Sequence, residues 1–172
     1  MSLSTFAHEV TDFVKEHQAW SPLIAGALAF GESFAILSLL IPATGALIAV
    51  GLLIAASDIP FVPVWIGAAV GAALGDWISY WIGLKLENAA HKVWPLSRYP
   101  QMIERGEEFF KRWGIWSVFI GRFFGPVRAV IPLIAGTFEM PFVAFQIANW
   151  TSAFLWAFLL LAPGFAALKY LS

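Results

Sequence analysis

The chain has 172 residues, of which 60% are hydrophobic and only 12% are charged. This composition is far more apolar than that of a soluble domain, and it predicts a polytopic membrane protein. The net charge of −1 argues against the basic character that favours nucleic acid, and the absence of cysteine excludes disulfides, thiolate chemistry and cysteine-bound metals.

The first half of the chain, about residues 1–86, is predicted to contain three elements. Apolar residues recur at helical spacing over residues 3–14 beside acidic and basic side chains, which favours a short amphipathic helix at the membrane interface. A long apolar stretch follows over residues 19–57, and it is interrupted by Glu32 and by a break at Pro42, Thr44 and Gly45. Residues 61–84 are apolar and long enough to form a membrane span.

The second half, about residues 102–172, repeats this order after a connection at about residues 87–101. An amphipathic helix is predicted over residues 102–113, a broken apolar segment over residues 114–138, and a final span over residues 142–162. An offset of 81 residues aligns the last element with the third and gives five matches in fourteen positions, beginning with Phe61 and Phe142. Duplication of one half would explain these matches, and so would chance similarity.

Both broken segments are predicted to be re-entrant. A helix over residues 114–124 would reach about 16 Å, roughly half of the hydrocarbon thickness. A helix from Glu32 to Ile41 would reach a similar depth, although a kinked conventional span over residues 33–57 fits the same sequence. The expected fold is an all-α polytopic membrane protein in one domain with two pseudo-symmetric halves. Each half would contain an amphipathic helix, a re-entrant helical hairpin broken by proline and glycine, and a transmembrane helix.

Basic residues predict the orientation of the chain. The central connection and its flanks carry six lysines and arginines, whereas the connection at residues 58–60 carries none. Because cytoplasmic loops carry an excess of basic residues, the central connection is predicted to be cytoplasmic. Asp76 would then lie toward the cytoplasmic end of its span, where water can reach it.

Arg122 and Arg128 are unusual because they lie inside the second broken segment. The twelve Val, Ile, Leu and Phe residues from Gly114 to Phe138 favour insertion by about 4 to 7 kcal/mol in all, while two central arginines oppose it by about 5 to 7 kcal/mol. The two effects nearly cancel. The guanidinium groups are therefore expected to face a protein cavity, water or an anion.

The break at Gly125 and Pro126 changes what the two arginines can reach. On one continuous helix, a separation of six residues would place their side chains about 120° apart around the axis. Proline removes a backbone donor and clashes with the preceding turn, so the helix is predicted to break there. A broken segment allows both arginines to turn inward toward one ligand.

Residues 121–156 resemble the central signature of the DedA membrane family, also called the SNARE-associated or VTT domain. The family pattern runs G-R-F-x-P-x-x-R, then P-x-x-A-G, then M, F and N, and ends at W; here the first proline is displaced by one, at Pro126. The sequence around Asp76 resembles the G-D-x-x-x-Y-x-x-G element of the family, and Glu32 matches its glutamate. The similarity extends over about residues 20–165, and the matches in the central signature are Gly121, Arg122, Phe123, Arg128, Pro132, Ala135, Gly136, Met140, Phe145, Asn149 and Trp156.

The resemblance implies a protein of the bacterial inner (plasma) membrane that moves an anionic lipid, either undecaprenyl phosphate or a phospholipid headgroup, with protons as the coupled ion. The implied partners are membrane lipids and protons, and a homo-oligomer is left open. Substrate binding is expected at Arg122, Arg128 and Asn149 together with the break at Gly125 and Pro126. Glu32 and Asp76 are expected to couple protons or to form ion pairs with the arginines.

This chain departs from the family pattern at two points. Thr44 stands where many members have an acidic residue, so a proton-coupling role of that acid does not transfer to this chain. The sequence also ends at Ser172, without the further hydrophobic span that many members have.

The same residues allow other interpretations of the site. The arginines can pair with Glu32 and Asp76 only to hold the protein together, and Asn149 can serve as a packing hydrogen bond between helices. An energy-independent scramblase and a non-transporting scaffold are the alternative functions. An enzyme is not expected, because no nucleophile with a base and no metal-binding set lies near the arginines in the sequence, and neither a cofactor nor a metal is predicted.

Overall fold

A computed structural model describes residues 16, 18–34, 44–56, 59–86, 108, 110–124, 128 and 130–171. Within these ranges every regular element is a helix, which confirms the all-α prediction. A 3-10 turn at Gln18–Trp20 precedes six α-helices: α1 (Ser21–Ser33), α2 (Thr44–Ala56), α3 (Phe61–Leu86), α4 (Ile115–Gly121), α5 (Val130–Thr137) and α6 (Phe142–Leu171).

Two of these helices are long and apolar enough to cross a membrane, which confirms both predicted spans. They are α3, with 26 residues, and the first 25 residues of α6, which end at Ala166. Only 44% and 39% of their apolar windows are buried inside the protein, and large apolar side chains such as Ile66, Ile78, Val143 and Leu159 are exposed. In a bilayer those side chains would contact lipid. Helix α6 continues through Pro163 to Leu171, past the predicted end at residue 162.

The first broken segment differs from its prediction at Glu32. Helix α1 ends at Ser33, and Phe34 is extended with φ −74° and ψ 118°. Glu32 therefore lies at the end of a helix, and the predicted helix beginning at Glu32 is wrong. Pro42 lies outside the described residues, whereas Thr44 and Gly45 form the first turn of α2.

The second broken segment is interrupted between α4 and α5, and α4 ends three residues before the predicted helix end at residue 124. Helix α4 begins after Gly114, whose φ of +47° favours glycine, and it ends at Gly121. Two tight turns follow, in which Phe123 N–H donates to the Ile120 carbonyl at 3.0 Å and Phe124 N–H donates to the Gly121 carbonyl at 3.1 Å. Helical structure resumes in α5 at Val130. Gly125 and Pro126 lie outside the described residues, as do residues 3–14 and most of residues 102–113.

The short helices pack on the long helices in an exchanged pattern. In each half the first short helix packs on the long helix of its own half, α1 on α3 and α4 on α6. The second short helix packs on the long helix of the other half, α2 on α6 and α5 on α3. The two long helices contact each other through small side chains that are almost fully buried, including Ala68, Ala72, Ala153 and Ala157. Small residues allow close approach of helices, so both halves are joined along α3 and α6.

Glycines occupy the two crossings between the halves. At the crossing of α3 and α5, a Cβ on Gly83 would overlap the Leu133 carbonyl oxygen, and a Cβ on Gly136 would overlap the Tyr80 carbonyl oxygen. At the crossing of α2 and α6, a Cβ on Gly51 would lie 2.8 Å from the Leu161 carbonyl oxygen, and one on Gly164 would lie 3.0 Å from the Leu52 nitrogen. Both crossings therefore require a residue without a Cβ.

Candidate functional site

Four charged side chains converge between the helices. Glu32 lies at the end of α1, Asp76 in α3, Arg122 directly after α4, and Arg128 between α4 and α5. Glu32, Asp76 and Arg122 are 6%, 5% and 4% exposed. The Arg128 side chain is 9% exposed. The exchanged packing brings them together, because α1 and α5 both lie on α3 while α4 lies on α6.

Arg122 is held by residues of both long helices. Its Nε donates to the Ser152 hydroxyl at 2.9 Å, and its Nη2 donates to Asn149 Oδ1 at 2.7 Å. The same Nη2 forms a buried ion pair with Asp76 Oδ2. Asn149 in turn donates from Nδ2 to the Ala73 carbonyl at 2.9 Å. Arg122 thus connects the end of α4 to α3 and α6.

One nitrogen of Arg122, Nη1, is not used by this network. Among the described residues, its buried Nη1 has no hydrogen-bond partner. A buried donor without a partner is unfavourable, and a native structure satisfies such a group with water or with an ion. Nη1 is therefore a point at which a polar ligand would be stabilised.

Arg128 has looser polar contacts than Arg122. Its Nη2 lies 3.5 Å from Glu32 Oε1 and donates to the Ser33 hydroxyl at 3.4 Å. The centre of its guanidinium group, Cζ, lies 4.1 Å from the centroid of the Trp156 ring, within the range of a cation–π contact. Arg128 is also near enough to Arg122 and Asp76 for their charges to interact. All four charges thus belong to one site.

The structure brings together five of the predicted site residues, namely Glu32, Asp76, Arg122, Arg128 and Asn149. Both arginines do pair with acidic residues, so the ion-pair interpretation of Glu32 and Asp76 describes real contacts. The expectation that Asp76 is reached by water is wrong, because its carboxylate is buried against Arg122.

Sequence reasoning missed the contacts of three residues. Ser33 and Ser152 are small polar residues in apolar helices, and such residues commonly form hydrogen bonds between helices. Trp156 lies in the signature that suggested the family, but nothing in the sequence pointed to its contact with Arg128. No group of three or more potential metal ligands is present in the described part of the chain.

Comparison with known proteins identifies the family. Residues 41–166 match the VTT domain. An uncharacterized membrane protein of Buchnera aphidicola is 30% identical over 155 residues, which cover 90% of this chain and 60% of the relative. Inner membrane protein YabI of Escherichia coli is 28% identical over 155 residues, covering 90% of this chain and 61% of YabI. Inner membrane protein YqjA of Escherichia coli is 33% identical over 126 residues, covering 73% of this chain and 57% of YqjA.

The chain spans about 60% of the length of these relatives. No solved structure matches it. The relatives named as inner membrane proteins, together with the two apolar helices, place the chain in the bacterial inner membrane as a multi-pass protein. The chain belongs to the DedA family of membrane proteins, defined by its VTT domain.

Proposed function

We propose that this protein transports an anionic lipid across the membrane, with Arg122 and Arg128 binding its phosphate and with protons linked to the step. The observation that carries the proposal is a pair of buried guanidinium groups in one apolar protein. One has a nitrogen without a partner among the described residues, and the other has polar contacts of 3.4 and 3.5 Å. Undecaprenyl phosphate and phospholipid headgroups are the two substrates that this chemistry fits.

Arginine suits a phosphate ligand in a low-dielectric site. Its charge is permanent, and its planar fork of donors matches two phosphate oxygens at once. Lysine offers a compact point charge without that fork. The outward apolar faces of α3 and α6 would remain in contact with the lipid tails while the headgroup occupies the site.

The charge balance of the site supports a proton link. When ionised, the two arginines and the two carboxylates sum to zero. A phosphate adds at least one negative charge, and an uncompensated charge in a buried site is strongly unfavourable. Uptake of a proton by Glu32 or Asp76 would restore neutrality and release an arginine for the phosphate. In this proposal lipid binding and proton uptake therefore occur together.

The architecture proposed for this transport is a pair of pseudo-symmetric halves with re-entrant hairpins. Its support is the repeated order of two short helices and one long helix, the exchanged packing, and long helices that begin 81 residues apart, at Phe61 and Phe142. Non-helical backbone at membrane depth is tolerated where protein covers it or where it lines a cavity. Broken helices in corresponding positions of two repeats commonly frame a transporter's central site.

Flux in proteoliposomes tests the proposal. The purified protein would be reconstituted with labelled undecaprenyl phosphate or with labelled phosphatidylcholine, with and without a pH gradient. We expect faster movement of the phosphate lipid, increased by the gradient. Arg128→Lys should slow it by roughly 10- to 100-fold, the effect of losing a charge-assisted hydrogen bond. Arg112→Lys changes an exposed arginine in the same way and should leave the flux unchanged.

The outcomes separate the alternatives. Flux that ignores the gradient would remove the proton link, and equal movement of both lipids would indicate a scramblase. Absence of flux in a folded wild-type protein would overturn transport and favour a scaffold, in which the buried ion pairs only stabilise the fold. The absence of enzymatic activity stays a prediction.

A further inference from the structure

Building on the proposed function, we infer that the two arginines have different roles. Arg122 is a fixed connection between helices, Arg128 is the exchangeable contact for the lipid phosphate, and Trp156 positions Arg128. The inference rests on the different partners of the two guanidinium groups, and it assigns Trp156 and Ser33 to the site.

Arg122 is poorly suited to exchange its partners. A phosphate that took its Nε and Nη2 would break the bonds to Ser152, Asn149 and Asp76 at once. Each of those groups is buried and would lose a partner, which makes the exchange unfavourable. Only Nη1 is available without that loss. Arg122 thus contributes at most one nitrogen, Nη1, to a ligand.

Arg128 can exchange its partners more easily. Its two polar contacts with described residues both use Nη2, and at 3.4 and 3.5 Å they lie beyond the usual range of about 2.7 to 3.2 Å. The contact with Trp156 places the guanidinium carbon Cζ over the face of the indole ring, 4.1 Å from its centroid. A cation–π contact pairs none of the N–H donors with an acceptor atom, so those donors can still serve other ligands.

Trp156 is itself firmly placed. It is 6% exposed and belongs to the buried core that includes Ala153 and Ala157. On α6 it follows Asn149 and Ser152 at spacings of seven and four residues, which places all three near one face of the helix. The first two hold Arg122, and the third lies against Arg128. Helix α6 therefore carries a separate support for each arginine.

Replacing Trp156 with a residue that has no aromatic ring should make the Arg128 side chain mobile in the lipid-free protein. Its remaining contacts are long, so the side chain would regain rotational freedom, and binding would have to order it again. Ordering one long side chain on binding corresponds to about a twofold to tenfold change in affinity. Trp156→Phe keeps an aromatic face and should retain most of the affinity, whereas Trp156→Leu should not.

Nuclear magnetic resonance of the arginine side chains tests the positioning directly. The full chain would be labelled with ¹⁵N-arginine in detergent micelles, and the Arg128 Nε–H signal identified by its loss in Arg128→Lys. Ring currents should shift that signal upfield in the wild type and in Trp156→Phe but not in Trp156→Leu. Trp150→Leu changes a partly buried tryptophan on the same helix and should leave the signal in place. An Arg128 signal that ignores Trp156→Leu would overturn the positioning role, whether or not the protein transports lipid.

Titration with dodecyl phosphate then tests the division between the arginines. The Arg128 signal should move with added lipid, the Arg122 Nε–H signal should stay fixed, and the apparent dissociation constant should rise about twofold to tenfold in Trp156→Leu. Equal movement of both arginine signals would overturn the division of roles. If neither signal moves at high dodecyl phosphate, phosphate binding and with it the exchange role of Arg128 are wrong, while the ring-current result still decides the role of Trp156.

Discussion

The two halves of the molecule share an arrangement of helices but differ in charge. In the part of the chain that the structure describes, each half has two short helices and one long helix, and its second short helix packs on the long helix of the other half. Within the described site, the first half contributes both carboxylates, Glu32 and Asp76, and the second contributes both arginines. Both ion pairs therefore connect one half to the other.

This difference shows how a repeated order of helices can hold a site whose two sides differ in charge. The packing can be alike in both halves because it depends on small residues and glycine crossings. The chemistry depends on side chains that need a partner of opposite charge, so one half supplies the acids and the other the bases. A ligand that competes for an arginine would therefore weaken a contact between the halves.

The largest effect is expected from Asp76→Asn. This change leaves the Arg122 charge buried without its acidic partner, and breaking a buried ion pair in this way typically destabilises a protein by about 3 to 5 kcal/mol. Thermal unfolding in detergent micelles would show the loss as a lower midpoint. Glu32→Gln is the matched control, because the contact between Glu32 and Arg128 is longer, at 3.5 Å, and its loss should lower the midpoint much less. Equal losses in the two variants would show that both pairs hold the halves together to the same degree.

A smaller effect is expected at the glycine crossings. Gly136→Ala would push a methyl group into the Tyr80 carbonyl of α3, and overpacking of this kind costs about 1 to 3 kcal/mol. Gly164→Ala tests the equivalent crossing of the other half, where the nearest atom would be 3.0 Å away, so its cost should lie at or below the lower end of that range. Unfolding midpoints of the two variants would compare the crossings. A larger loss at Gly164 than at Gly136 would contradict the difference in their closeness.

The elements of the fold that the sequence predicted best are the long helices. Their starts at Phe61 and Phe142 follow from apolar composition and preceding breaks, and both are confirmed. The end of α1 was not predictable, because no glycine or proline follows Ser33 until Pro42. That end depends on tertiary contact, since Ser33 lies against Gly75 of α3. The continuation of α6 through Pro163 likewise depends on its neighbour, because Gly164 packs closely against α2.

The charged members of the site were predictable, and so was Asn149, but the contacts of Ser33, Ser152 and Trp156 were not. Two arginines in an apolar segment are costly enough to indicate buried partners, and Asp76 and Glu32 were the acids available in the apolar segments. The roles of Ser152 and Trp156 follow only from the face that α6 turns toward those arginines. Sequence spacing places Asn149, Ser152 and Trp156 near one helical face without showing what that face meets.

The smallest effect is expected from Gly45→Ala. This variant tests whether the first broken segment has a turn at Gly45, as the second has turns after α4. Gly45 was predicted as a turn residue, but it lies exposed in the first turn of α2, and no atom lies within 4 Å of the position that its Cβ would take. Alanine is favoured over glycine in a helix by up to about 1 kcal/mol, so the variant should unfold at the same or a slightly higher temperature. Gly83→Ala, in which the added methyl group meets backbone, is the matched contrast and should lower the midpoint. A clear loss of stability in Gly45→Ala would mean that the chain needs a glycine at this position. The predicted turn at Gly45 would then be right, and α2 would begin later in the chain.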